Sequence, residues 1–186
     1  MLNAVILWLE ALAALGGLLA AGFIAFLTFV LRALRSLPTA DGIKAMTVIN
    51  LVTAKPIAIL LSGTALLSLA VALLWSFDLS WDRLEKPAAM MAIAGSIVLG
   101  LGAVLVTLER TRPLNNLLGT ATDASGEMIW RIYRRDWVTW NYVRAAACAV
   151  AGALLLAAAG LHTLHLIERA MVRDFQPTPY WEGPLM

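Results

Sequence analysis

Residues 145–167 read AAACAVAGALLLAAAGLHTLHLI, a run with no acid, lysine, arginine or proline. A helix rises 1.5 Å per residue, so roughly 20 such residues cross a hydrocarbon core of about 30 Å. Three more stretches share this character: 11–31, 57–77 and 88–108. All four are continuously apolar rather than alternating, which excludes a membrane β-barrel. The expected fold class is therefore all-α, a polytopic membrane protein built as a four-transmembrane-helix bundle. It forms one membrane domain over 1–167, followed by a Pro/aromatic tail over 168–186.

The composition agrees. The 186 residues are 61% hydrophobic and 14% charged, against about 45–50% and about 25% in a soluble domain. A soluble globular fold and a disordered chain are both excluded. A net charge of +2, with no basic cluster longer than Arg134–Arg135, gives no footprint for nucleic acid. The single cysteine, Cys148, rules out an intrachain disulfide, a CxxC redox pair and a cysteine-based zinc site.

Turn and breaker residues mark the expected span ends. Pro38 and Asp41-Gly42 follow the first span, Lys55-Pro56 and Lys86-Pro87 open the second and third, and Arg112-Pro113 closes the third. The two long loops hold ten of the lysines and arginines, and the other side holds four. The positive-inside rule then puts both long loops in the cytoplasm and both termini outside, in an inner or plasma membrane. Trp75 and Trp81 would belong to the outer aromatic belt. The first span lacks a positive segment before it and reads as a retained anchor rather than a cleaved signal peptide.

Both long loops carry helical stripes, expected on interfacial helices. In the first, Met46, Ile49, Asn50 and Thr53 share a face. In the second, Trp130, Tyr133, Trp137, Trp140, Asn141 and Arg144 fall within an arc of roughly 100° at about 100° per residue. One reading of this ridge is a helix lying at the headgroups, with its basic residues on anionic lipid. The other is a pocket wall for a flat apolar aromatic ligand. There Trp130, Tyr133, Trp137 and Trp140 contact the rings with Asn50, and Arg144, Asn141 and Asn115 supply the polar chemistry. Asn and Arg entering a span are costly without partners, and Asn50 and Asn115 are candidates.

Three motifs occur in order: Ala45-Met46-x-x-Ile49-Asn50, Arg112-Pro113-Leu114-Asn115 and Trp137-x-x-Trp140-Asn141-x-x-Arg144. Together they resemble the anthrone oxygenase-like family of four-helix integral membrane proteins, formerly a domain of unknown function, over roughly residues 5–162. Thr111 stands where that family often has an asparagine, and the tail is extra to the family core. The resemblance implies oxidation of an anthrone-like or quinone-like aromatic within the membrane. It implies molecular oxygen as co-substrate and no metal or organic cofactor.

In that chemistry an aromatic stack holds the ring system, and Arg144 with Asn141 or Asn115 stabilises an enolate oxygen. Asp136 and Glu109 are the nearest bases, neither on the stripe. His162, His165 and Glu168 stand at i, i+3 and i+6, a thin ligand set, so no metal site is expected. Glu10 reads as an interface charge rather than a buried relay. Cys148 with Gly152, and Ala13 with Gly17, have the spacing of close helix packing within the bundle or in a homo-oligomer. The Pro-rich tail, with Tyr180 and Trp181, rests on lipid or docks a protein partner. The competing function is a non-catalytic accessory or assembly subunit. A transporter fits least, since no span is broken by proline and none carries a mid-span charge.

Overall fold

The computed structural model describes residues 2–77 and 86–174. Helix α1 spans Leu2–Ala33, and a 3-10 turn at Leu34–Ser36 leads through extended Leu37 to Pro38. Proline disfavours a helical residue before it, which separates α1 from α2. Helix α2 runs Thr39–Phe77. The third spanning helix is continuous over Lys86–Leu118: α3 (Lys86–Leu99), π-helical turns at Gly100–Leu105 and Thr107–Thr111, then α4 (Arg112–Leu118). A short turn, closed by Gly126 N–H to the Thr122 carbonyl at 2.7 Å, precedes α5 (Gly126–Asp174).

All four long helices are apolar and long enough to cross a membrane, and the chain is an integral membrane protein. Their packing is inverted relative to a soluble core. Ala13, Ala14, Ala88, Ala89, Ala92, Ala151 and Ala158 are buried, while Trp8, Phe26, Phe29, Ile59, Leu66 and Leu164 face outward. Lipid solvates large side chains as well as protein does, so small residues go where backbones must approach. A Cβ on Gly17 would lie 3.2 Å from the Cys148 carbonyl and from Gly152 Cα. The expected small-residue face thus forms the α1–α5 crossing within the bundle. The chain's aromatic core lies at the opposite end, where Trp130, Tyr133 and Trp137 pack with Leu31, Met46 and Leu118.

Three expectations about boundaries need correction. Pro56 does not open a helix; it lies inside α2. Arg112-Pro113 does not close one; the helix continues to Leu118 through the preceding π-helical turns. Proline lacks an N–H and crowds the turn before it, and the ladder widens there, with Arg112 N–H donating to the Thr107 carbonyl five residues back. The loop stripes do not lie on separate interfacial helices. They are extensions of α2 and α5, whose 49 residues give a length of about 70 Å, over twice the hydrocarbon core.

At the far end of the bundle, Glu10 is fully buried rather than an interface charge. Its Oε1 accepts from Trp75 Nε1 at 2.7 Å, and its Oε2 lies 3.2 Å from His162 Nδ1. Trp75 meets the His162 ring edge-on at 5.2 Å. Trp75 is therefore interior, not part of an outer belt. The contact ties α1, α2 and α5, elements distant in sequence. His165 is also buried, whereas Glu168 is exposed, so the i, i+3, i+6 series does not converge. Among the described residues no three metal-ligating side chains come together. Trp81 and the Pro-rich tail from 175 lie outside the described residues.

Replacing Glu10 with Leu removes an acceptor from two buried rings, at a cost of about 1–3 kcal/mol for each polar group left unsatisfied. We expect Glu10→Leu to lower the thermal unfolding midpoint in detergent clearly, and Glu10→Gln, which keeps an acceptor, to lower it less. Equal midpoints for Glu10→Leu and the parent would show that the contact contributes nothing.

Candidate functional site

The α5 extension carries its aromatic stripe inward. Trp130 stacks on Tyr133 at 6.0 Å between centroids, and Tyr133 on Trp137 at 5.8 Å. Trp130 lies over Gly42 of α2, where a Cβ would come within 2.7 Å of the indole, so this approach requires glycine. Trp130 is thus core packing between helices.

Tyr133 and Trp137 are fixed by a polar network that joins three elements. Asn50 Nδ2 on α2 donates to the Tyr133 hydroxyl at 3.0 Å. That hydroxyl donates to Asn115 Oδ1 on α4 at 3.1 Å, and Trp137 Nε1 donates to the same oxygen at 2.9 Å. Tyr133 lies on the extension before the apolar run of α5. Burial pushes its phenol well above the ordinary range, so it remains protonated and able to donate.

Two turns beyond Tyr133 and Trp137 stand Asn141 and Arg144, only 1% and 3% exposed. Arg144 Nη1 donates to Asn141 Oδ1 at 2.8 Å and to Thr111 Oγ1 at 3.3 Å. Both acceptors are neutral. No carboxylate lies within ion-pair distance of Arg144 among the described residues. Its Nε and the Asn141 Nδ2 are buried without a hydrogen-bond partner. A buried cation without a counter-charge is costly, and orphaned buried donors add to that cost.

These groups line one cavity of about 390 Å³, within the roughly 300–1,000 Å³ of small-molecule sites. Arg144, Asn141 and Thr111 are its buried floor. Trp137, Leu27 and Ile57 supply apolar wall, and Asn50 and Asn115 also reach it. Exposed Lys55 and Arg112 stand at its mouth.

Five of the eight residues singled out from the sequence therefore line a single cavity: Asn50, Asn115, Trp137, Asn141 and Arg144. Tyr133 stands behind that wall, holding Asn50 and Asn115. Trp130 lies farther back. Trp140 is outside the lining, half-buried, with the Arg110 guanidinium 5.0 Å over its ring. It sits at the edge of the stripe's arc, which is why it leaves the ridge.

Neither candidate base reaches the cavity. Glu109 is exposed. Asp136 bonds Arg135 at 2.6 Å, which holds its carboxyl below the usual range. The sequence reading missed Thr107, Thr111, Lys55 and Arg112 as lining residues. Thr107, Thr111 and Asn115 stand at i, i+4 and i+8. That signal was concealed by ending the helix at Pro113.

A family model described as anthrone oxygenase matches residues 54–155. No curated protein and no solved structure matches the chain. The matched region holds every cavity-lining residue named above except Leu27 and Asn50.

Tyr133→Phe deletes one hydroxyl and leaves Asn50 Nδ2 without its acceptor. We expect a loss of about 1–3 kcal/mol in stability, read by denaturant unfolding in mixed micelles. A concurrent change in Trp137 fluorescence is expected, since Asn115 is then held by the indole alone. An emission spectrum and a midpoint identical to the parent would show that the network does not set the wall.

Proposed function

The chain belongs to the anthrone oxygenase family, and on that premise we propose that it oxidises an anthrone-like or quinone-like aromatic with molecular oxygen and without a cofactor. The observation that carries the reading is Arg144. It is a buried guanidinium, bonded only to neutral oxygens, at the floor of a cavity with an indole in its wall. Such a group is preorganised for negative charge that appears during a reaction.

An anthrone loses a proton from its central carbon to give an enolate, with charge on the oxygen across the ring. Trp137 supplies a flat apolar surface for the rings. The Arg144 guanidinium and the unpaired Asn141 amide hold the oxyanion. By stabilising the enolate they make the bound C–H more acidic, so water entering at the mouth can take the proton. The enolate then passes one electron to oxygen. The resulting radical and superoxide join as a C–O bond, and protonation gives a hydroperoxide. Loss of water from it leaves the second quinone carbonyl. One oxygen molecule is consumed and one water released for each anthrone. The chain's task is to bind, orient and stabilise charge.

In this reading the cavity mouth faces the cytoplasm and both termini lie outside, which the excess of basic residues on the loops capping this end supports. Ala54, Ala58 and Leu108 of the lining are exposed on the outer faces of their helices, which suits the apolar ring system of such a substrate.

Membranes carrying the protein are expected to consume oxygen and form anthraquinone from an anthrone faster than empty membranes. Arg144→Ala is expected to lower the excess rate by roughly 10²–10³-fold, the usual loss on removing one oxyanion donor. Arg144→Lys keeps the charge but not the planar fork and is expected to fall between. An Arg144→Ala protein as active as the parent would refute the assignment.

A further inference from the structure

Three cations line the cavity: Arg144 at the floor, and Lys55 and Arg112 at the mouth. No acidic side chain is among its lining residues. None of the three has a carboxylate within ion-pair distance among the described residues. An enolate brings one negative charge, and Arg144 with Asn141 already provides for it. Lys55 and Arg112 are then in surplus for a neutral anthrone. They also belong to different elements, the middle of α2 and the start of α4, so the fold brings two like charges to one opening. Like charges placed together in this way raise the local concentration of a complementary ion.

We propose that the substrate is an acidic anthrone, bearing a ring carboxylate in addition to the oxygen that becomes the enolate. This inference rests on the oxygenase reading for the identity of the ring system. The carboxylate sits at the mouth between Lys55 and Arg112, where water still reaches it. The rings lie along Trp137, and the reacting oxygen points to Arg144. The fixed charge thereby sets the molecule's direction. The end that cannot shed its charge stays at the wet opening, and the end that gains charge only on reaction reaches the buried floor. A carboxylate driven to the floor would find one cation but lose its hydration, so the two ends of the ligand are not interchangeable.

The test is equilibrium binding, which needs no turnover. Purified protein in phosphatidylcholine vesicles is titrated with anthraquinone-2-carboxylate and with unsubstituted anthraquinone, followed by quenching of tryptophan fluorescence. We expect the carboxylate to bind at least tenfold tighter, with a preference that shrinks as salt rises. In a Lys55→Gln/Arg112→Gln double variant the ratio should fall toward one. A tenfold preference that depends on these two residues would support the carboxylate subsite at the mouth, and turnover of an anthrone tests the oxygenase reading separately. Equal affinities in the parent protein would overturn it and leave the oxygenase reading standing. A third arm adds phosphatidylglycerol to the vesicles. If anionic lipid abolishes the binding of both compounds alike, the two cations hold lipid headgroups and the proposal falls. A double variant that fails to fold is replaced by the single variants Lys55→Gln and Arg112→Gln, each expected to lower the ratio.

Discussion

The phenolic hydroxyl of Tyr133 is the point on which the loop end of the bundle depends. It receives a hydrogen bond from Asn50 and gives one to Asn115, an oxygen already shared with Trp137. With those bonds α2, α4 and α5 are fixed relative to one another. Apolar contact is weakly directional and could not do this alone in a membrane, where helices gain little by hiding one apolar surface against another. Once the three elements are set, a gap remains between them, and its floor is the guanidinium of Arg144. The site follows from the network in that order.

The bundle has two unlike ends. One is closed by alanine and glycine, with the Glu10–Trp75–His162 contact as its polar tie. There buried small residues let the helices come close. The other is held apart by Trp130, Tyr133 and Trp137, side chains too large for backbones to approach. The cavity above Arg144 lies where large rings act as spacers and polar groups fix them. Burial of the carboxylate at one end and of a cation at the other distributes the costly groups. Glu10 has donors around it, whereas Arg144 has only neutral acceptors, its own Nε is orphaned, and so is the Asn141 amide beside it.

The spans were legible in the sequence because unbroken apolar runs have few alternative fates. Their lengths were not. Pro56 and Pro113 read as ends, since an isolated helix cannot easily carry proline. Packed neighbours and a widened turn let this chain continue through both. The stripe from Trp130 to Arg144 was legible because helical geometry fixes which residues share a face. That Trp140 leaves it was not, since a residue at the edge of an arc is decided by its neighbour, here Arg110. Glu10 was misread for a related reason. Its partners lie 65 and 152 positions away, and nothing local to Glu10 announces them. The cations at the mouth were visible as residues but not as a pair, because the fold alone joins the middle of α2 to the start of α4.

The π-helical turns before Pro113 make the position of a lost residue a determinant of the chemistry. In an α-helix each residue turns the chain by about 100°. Each widened turn takes up one residue more than the ordinary pattern, so a residue lost inside it is absorbed as the ladder tightens. A residue lost from the ordinary α-helical stretch 86–99 is not absorbed, and everything after it would be rotated by that angle. Thr111, Arg112 and Asn115 would then leave the cavity together, although none of them had been altered. Arg144 would lose an acceptor, Tyr133 and Trp137 would lose theirs, and the pocket would open without any change in composition or hydrophobicity. In reading genomes, a one-codon gap in this apolar segment would look harmless, since the helix would still cross the bilayer. For this fold it would be a frameshift in space rather than in sequence.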